Sequence, residues 1–305
     1  MRAVIVLALF LATTHSFQIQ QEVGSLDHEA SARSEGPPEM FVAIFSYPAH
    51  NMTRQVVRDA WLVPSSVVTK FIICDDNPSN GTLLAENTAY KDILWVRCEE
   101  GYSEGRLTRK LVAAMTTYLE NYNTPFFYKV DDDSLPNFDM ILHNIHGQGD
   151  YVYAGLMYHG PNFNGTTGPL RNASSRWYEP WDTWPDMWYP VAASGGAGYI
   201  LSRSLVSQFI TVDPQTTEKY MLWNEDKAVG VWVDRACKNG VNVSYVNITG
   251  CDGYHLCDDS LRSEPISNYL SLCVKQNLSP QEVKCLVQPS NAEKPTDYCL
   301  CHDSV

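Results

Sequence analysis

The stretch that decides the fold is "PFFYKVDDDSLPNFDMILHNI", residues 125–145. Pro125 opens an aromatic, apolar run that ends abruptly in Asp131, Asp132 and Asp133, and "NFDMILHNI" follows with helical spacing. A run this short reads as a buried strand. The acids therefore sit at the carboxyl end of that strand. In an open α/β sheet, that end is where ligands bind.

Working outward, the same alternation recurs. "MFVAIFSY" (Met40–Tyr47), "VVTKFIICDD" (Val67–Asp76) and "DILWVRC" (Asp92–Cys98) read as further buried strands. "NMTRQVVRDAWL" carries Val56, Val57, Ala60 and Trp61 on one helical face, and Arg54 and Arg58 project together four residues apart. They either support a ligand site or form salt bridges. "RLTRKLVAAMTTYLENY" (Arg106–Tyr122) is an amphipathic helix, and Lys110 on it is a candidate for balancing the aspartates. Lys129 and Val130 face opposite sides of their strand. Strands alternating with helices predict an α/β domain with a largely parallel sheet. After residue 160 the chain turns to Trp, Tyr, Pro and Gly, which predicts loops and short strands. "SGGAGYILSRSLVSQFI" predicts a tight turn leading into a strand or helix, "NEDKAVGVWVDRACKNGV" a helix with an acidic start, and "VNVSYVNITGCDGYHLC" a strand and a loop carrying His255.

The chain has 305 residues and a net charge of -13, with 22 Lys plus Arg against 35 Asp plus Glu. That balance argues against nucleic-acid binding through a basic surface. "AVIVLALFLA" (Ala3–Ala12) is about half the roughly 20 apolar residues of a membrane span. It reads as a signal peptide over residues 1–16, with a short uncleaved anchor as the alternative. A linker over 17–39 follows, and no later run is long enough to be transmembrane, so the mature chain is expected to lack a span. Asn-x-Ser/Thr sequons at Asn51, Asn80, Asn164, Asn172, Asn242, Asn247 and Asn277 agree with export into the Golgi or ER lumen, or secretion. So do nine cysteines, six of them from Cys251 onward. An odd number leaves one thiol free or bound to another chain. Residues 258–305 read as a small disulfide-held tail.

Three contiguous carboxylates repel one another, and a divalent cation such as Mn or Mg removes that repulsion. A metal-bound nucleoside diphosphate as leaving group is one chemistry that needs such a cluster. A solvated turn or helix cap is the other reading of Asp131–Asp133. Glu225 and Asp226 form a second, separate acidic cluster, which also suits a helix N-terminus. Gly195 and Gly196 allow either a close backbone approach to a sugar or diphosphate, or a plain turn. Trp177, Trp181, Trp184 and Trp188 suit either stacking on sugar faces or core packing.

The ordered series "RQVVRDAW", "YKDILWVRCEEGYSEGRLTRK", "FFYKVDDD", "YPVAASGGAGYILS", "NEDKAVGVWV" and "GYHLC" resembles the β-1,3-galactosyltransferase and Fringe-like superfamily of inverting glycosyltransferases, over Met40 to Cys257. The resemblance implies a GT-A fold, a Rossmann-like mixed sheet flanked by helices, over residues 40–257. It implies an Mn-dependent UDP-sugar site and a glycan or glycoprotein acceptor. Asp133 and His255 would be metal ligands, with Asp131 and Asp132 reaching the ribose or the metal's water shell. Asp226 would be the catalytic base. By their own chemistry, Gly195 and Gly196 are candidates to lie on the donor, and Glu225, Trp181 and Trp188 to contact substrate. Lys227 stands where many relatives carry valine, "AASGGAG" lacks a cysteine many galactosyltransferases have, and the tail has no family counterpart. A glycosidase using paired carboxylates would not explain three contiguous aspartates at a strand end. An inactive sugar-binding module on the same fold would not need intact Asp133, Asp226 and His255.

Overall fold

The computed structural model describes residues 36–75, 81–158 and 168–248, with the backbone of Ser271–Cys273. The signal peptide, most of the linker, most of the cysteine-rich tail and His255 lie outside the described residues.

In chain order the elements are β1 (Met40–Phe45), α1 (Asn51–Ala60), β2 (Val67–Cys74), α2 (Gly81–Tyr90), β3 (Ile93–Val96), α3 (Arg106–Asn121), β4 (Phe126–Asp131), β5 (Ser134–Pro136), α4 (Phe138–Ile145), β6 (Val152–Gly155), β7 (Met157–Tyr158), β8 (Ala192–Ala193), β9 (Tyr199–Ser202), α5 (Arg203–Ser207), a π-helical turn (Gln208–Val212), α6 (Pro214–Lys219), α7 (Glu225–Lys238), β10 (Ser244–Asn247) and β11 (Ser271–Cys273). The main sheet has seven strands in the order β10-β6-β9-β4-β1-β2-β3. All its pairings are parallel except those of β9, which runs antiparallel to both β4 and β6. This is the mixed, helix-flanked sheet of a GT-A-like fold. The strand direction of β9 departs from a simple alternating α/β pattern.

Strand periodicity divides the core. Phe41, Ala43, Phe45 and Phe127 point to one face, where α3, α5 and α7 pack through Leu111, Met115, Leu205, Val229 and Trp232. Met40, Val42, Ile44, Tyr128 and Val130 point to the other, covered by α1, α2 and α4 through Val57, Leu83 and Ile141. Burial on both faces makes β1 continuously apolar instead of alternating.

From β1 the chain winds outward through β2 and β3, then returns to β4 on the other side of β1. The order reverses between β1 and β4, so a crevice opens at their carboxyl ends. Phe45 pairs with Asp131 there. Ser46–His50 lead away from β1, and Asp132–Asp133 lead away from β4. A disulfide between Cys74 and Cys98 ties the ends of β2 and β3 together. On the other side of the crevice β11 pairs antiparallel with β5, placing the backbone of one tail strand directly after the aspartates.

Candidate active site

Residues two apart on a strand share a face, so Lys129 and Asp131 both point towards α7. Lys129, fully buried, donates to Asp131 Oδ1 at 2.7 Å and the Gly195 carbonyl at 3.0 Å, and pairs with Glu225 Oε1 at 2.9 Å. One ammonium thus joins the two acidic clusters that are separate in sequence. Burial pulls its pKa down, but Asp131 and Glu225 outweigh that and hold it well above the usual lysine range. Burial pushes Asp131 up to about 6 against the pull of Lys129, and the charges of Asp133 and Asp132 add to the rise. Burial also raises Glu225, again against Lys129, with Asp226 and Asp131 adding to it.

Asp132 turns the other way. Its Oδ2 accepts from Ser46 Oγ at 2.7 Å and meets His50 Nδ1 at 3.0 Å. The hydrogen bond to Asp132 raises the His50 pKa, against burial. Asp133 is half-buried at the crevice. Asp226 occupies the second position of α7, where the helix N-terminus favours a negative charge. Its Oδ1 accepts from Lys227 N at 2.8 Å and its Oδ2 lies 3.1 Å from Lys227 Nζ.

The glycine turn fits between these groups. A Cβ on Gly195 would sit 3.2 Å from both Asp226 Cβ and Glu225 Oε2, so a side chain there would push these groups back by a few tenths of an ångström. Gly198 has φ +88, and a Cβ there would meet Tyr128 Cε2 at 2.5 Å. The carbonyl of the exposed Gly196 accepts from Ser134 Oγ at 2.7 Å. The turn therefore packs α7 onto the end of β4.

Several expected residues have other partners. Lys110 binds both Glu100 oxygens at 2.9 Å and the Ser46 carbonyl at 2.6 Å. The aspartates reach it only as more distant charges, and it is Lys129 that meets Asp131 directly. Arg54 and Arg58 form salt bridges with Glu86, and Arg58 also with Asp92. Arg54 additionally donates to the Tyr47 carbonyl at 2.7 Å, which fixes the loop after β1. Glu225, expected at the substrate, is turned inward: only 4% exposed, it faces Lys129 and the Tyr199 hydroxyl, 3.3 Å away. Trp184 is buried and stacks on Tyr189, whereas Trp181 and Trp188 are exposed. The Arg171 guanidinium lies 3.8 Å from the centre of the Trp181 ring.

Tyr102 was not singled out in the sequence. Its pKa is raised by burial and next by the charge of Asp131. Trp177 meets it edge-on at 5.6 Å, and the Arg176 guanidinium lies 4.5 Å from the Trp177 ring centre. Both aromatic rings are exposed.

The described residues suit a hard divalent cation in donor type. Asp131, Asp132 and Asp133 supply hard oxygen donors at the strand end, the donor type such a cation takes. Among the described residues no group of three metal-ligating side chains is preassembled. Asp131 and Asp132 are instead held by Lys129 and by Ser46 with His50.

A family model described as Galactosyltransferase matches residues 52–244. The chain is similar to a beta-1,3-galactosyltransferase of Arabidopsis thaliana, 27% identical over 270 residues, covering 86% of this chain and 39% of the relative. A hydroxyproline O-galactosyltransferase of the same plant is 29% identical over 244 residues, 75% of this chain and 33% of the relative. Beta-1,3-galactosyltransferase 2 of Homo sapiens is 26% identical over 220 residues, 67% of this chain and 49% of the relative. The chain thus spans a third to a half of the length of these relatives.

Proposed function

Because this chain belongs to the galactosyltransferase family, we propose that it transfers a hexose or N-acetylhexosamine, galactose first, from a UDP-sugar to a glycan or glycoprotein hydroxyl, with inversion and as a β-1,3 bond. The observation that carries the reading is the meeting, through Lys129, of Asp131 at the end of β4 with Glu225 at the start of α7. That supports a reading in which a donor side and an acceptor side share one crevice at the reversal of strand order.

Inversion needs the acceptor oxygen to attack the anomeric carbon opposite the leaving group. The new carbon–oxygen bond forms as the bond to the diphosphate breaks, and UDP leaves with the electron pair. The acceptor proton passes to Asp226, which acts as general base. Lys227 and the helix N-terminus hold that carboxylate in place. Asp133, with His255 from outside the described residues, would hold Mn; when bound, that ion neutralises charge on the departing diphosphate. Asp131 and Asp132, fixed by Lys129, Ser46 and His50, border the donor side, and the Gly195–Gly196 turn closes it. Tyr102, Trp177, Trp181 and Trp188 offer flat faces to an acceptor pyranose. The Cys74–Cys98 disulfide and the exposed sequon residues Asn51, Asn172 and Asn242 support an oxidising, lumenal setting or secretion.

The test is UDP release by the purified chain across a panel of UDP-sugars and glycoside acceptors, with Mn present or chelated. Mn-dependent, acceptor-stimulated release with one donor is expected. Asp226→Asn should lower kcat by about 10²–10⁴-fold while UDP still binds. Asp133→Asn should weaken Mn-dependent UDP binding itself. Unchanged turnover in Asp226→Asn would overturn its assignment as base.

A further inference from the structure

Glu179, in the tryptophan-rich segment, is completely buried. Among the described residues no lysine, arginine or histidine forms an ion pair with its carboxylate. It is surrounded by neutral donors. Thr183 Oγ1 at 2.7 Å and Trp223 N at 3.0 Å reach Oε1. Asn224 Nδ2 at 2.9 Å, Asn224 N at 3.2 Å and the Tyr189 hydroxyl at 3.2 Å reach Oε2. Burial and the neighbouring Glu179 raise the Tyr189 pKa, so its phenol keeps the proton that it donates.

These donors come from two places. Thr183 and Tyr189 belong to the same segment as Glu179. Trp223 and Asn224 are the two residues before α7, and Asn224 is its N-cap. An N-cap side chain commonly accepts from the first turn of its own helix. Asn224 makes no such bond, and its amide instead donates to Glu179 and to the Trp177 carbonyl at 3.3 Å. The start of α7 is therefore held from outside, by Glu179. Arg171 secures the anchor from behind, donating to the carbonyls of Glu179 at 2.7 Å, Pro180 at 2.8 Å and Trp184 at 2.6 Å.

We infer that Glu179 is a positioning residue for the reaction: through Trp223 and Asn224 it sets the first turn of α7, and with it the carboxylate of Asp226, relative to the aromatic segment facing the acceptor. The inference rests on the proposed role of Asp226 as base. A displaced base loses rate at the chemical step but leaves donor binding intact. A misplacement of about 1 Å suffices for about 10²-fold.

The test compares Glu179→Ala and Glu179→Gln with the unmodified chain by steady-state kinetics, UDP binding by calorimetry with Mn, and amide hydrogen exchange. In Glu179→Ala, kcat should fall by about 10²-fold with donor KM and UDP affinity within about two-fold. Exchange should quicken at residues 223–228 and not in β4. Glu179→Gln keeps one acceptor oxygen and should recover part of both losses; if the alanine variant fails to fold, the glutamine variant carries the test. A folded variant with unchanged kcat, or one whose loss lies in donor KM, overturns the inference. If the unmodified chain transfers no sugar, the proposed function fails separately; unchanged protection at residues 223–228 would then overturn the anchoring.

Discussion

The two flanks of the crevice handle charge in opposite ways. On the β1–β2–β3 flank the partly buried acids Glu86, Asp92 and Glu100 each have a cation. Glu86 is shared by Arg54 and Arg58, Asp92 takes Arg58, and Glu100 takes Lys110. On the β4–β9–α7 flank Asp131, Asp132, Asp133, Glu225 and Asp226 cluster around Lys129 and Lys227, with His50 beside Asp132. The first flank pairs these partly buried charges and functions as scaffold. The second carries an excess of negative charge, which disfavours folding unless something positive joins it. Natural folds tolerate such conflicts where they bind and react.

Replacing the cation on each flank tests this contrast most severely. Lys129→Met leaves Asp131 and Glu225 facing each other without their shared partner. The expected loss is about 3–5 kcal/mol in urea unfolding. Transfer should also fall in whatever fraction remains folded. Arg58→Met removes a partner of Glu86 and Asp92 and should cost stability alone, with kcat per folded molecule unchanged. If both variants lost activity equally at matched folded fractions, the two flanks would not differ in kind.

The next largest effect belongs to the scaffold flank. The Cys74–Cys98 disulfide closes a sequence separation of 24 residues. Chain-entropy reasoning gives about 3 kcal/mol for a loop of that order. The double variant Cys74→Ala/Cys98→Ala should lose about that much in urea unfolding and keep its donor affinity. A donor affinity that dropped with it would mean the disulfide also shapes the donor side.

Adding the missing positive charge should stabilise only the other flank. With UDP and Mn at about a hundred times their apparent Kd, linkage predicts about 2.7 kcal/mol of added stability. Asp133→Asn should abolish the gain, and the unfolding midpoint should show it directly. An equal gain in Asp133→Asn would place the cation elsewhere.

How legible each flank was in the sequence follows from the same physics. Apolar runs such as Met40–Phe45 and the spacing of Leu111, Met115 and Tyr118 reveal elements because burial imposes a period. Helix α2 was missed because it buries only Leu83. The reversed direction of β9 has no local signature, since a strand buried on both faces looks the same either way. For the site, Asp131–Asp133 and Asp226 stood out as unusual acids, and the family resemblance gave them roles. Partner choice was not legible. Lys110 and Lys129 both precede the aspartates in sequence, and only the fold shows that one meets Glu100 and the other Asp131 and Glu225. Glu179 is a lone acid among tryptophans, and nothing local marks it as the anchor of a helix more than 40 residues away.

The smallest expected effect is also the finest test of the balanced flank. Burial alone would raise Glu86, yet its bonds to Arg54 and Arg58 hold its pKa below the usual value of 4.5. Its folded pKa is thus lower than its unfolded one, so its contribution to stability is fully present above about pH 4.5 and is lost as the pH falls through the folded pKa. Glu86→Gln removes the titration while keeping one acceptor oxygen for the arginines. The variant should be less stable at neutral pH by about 1–2 kcal/mol. Its unfolding midpoint should then fall less steeply than that of the unmodified chain as acid is added. Parallel acid limbs for the two proteins would show that Glu86 is not held ionised by the arginines, and that the charge matching on this flank is geometric only.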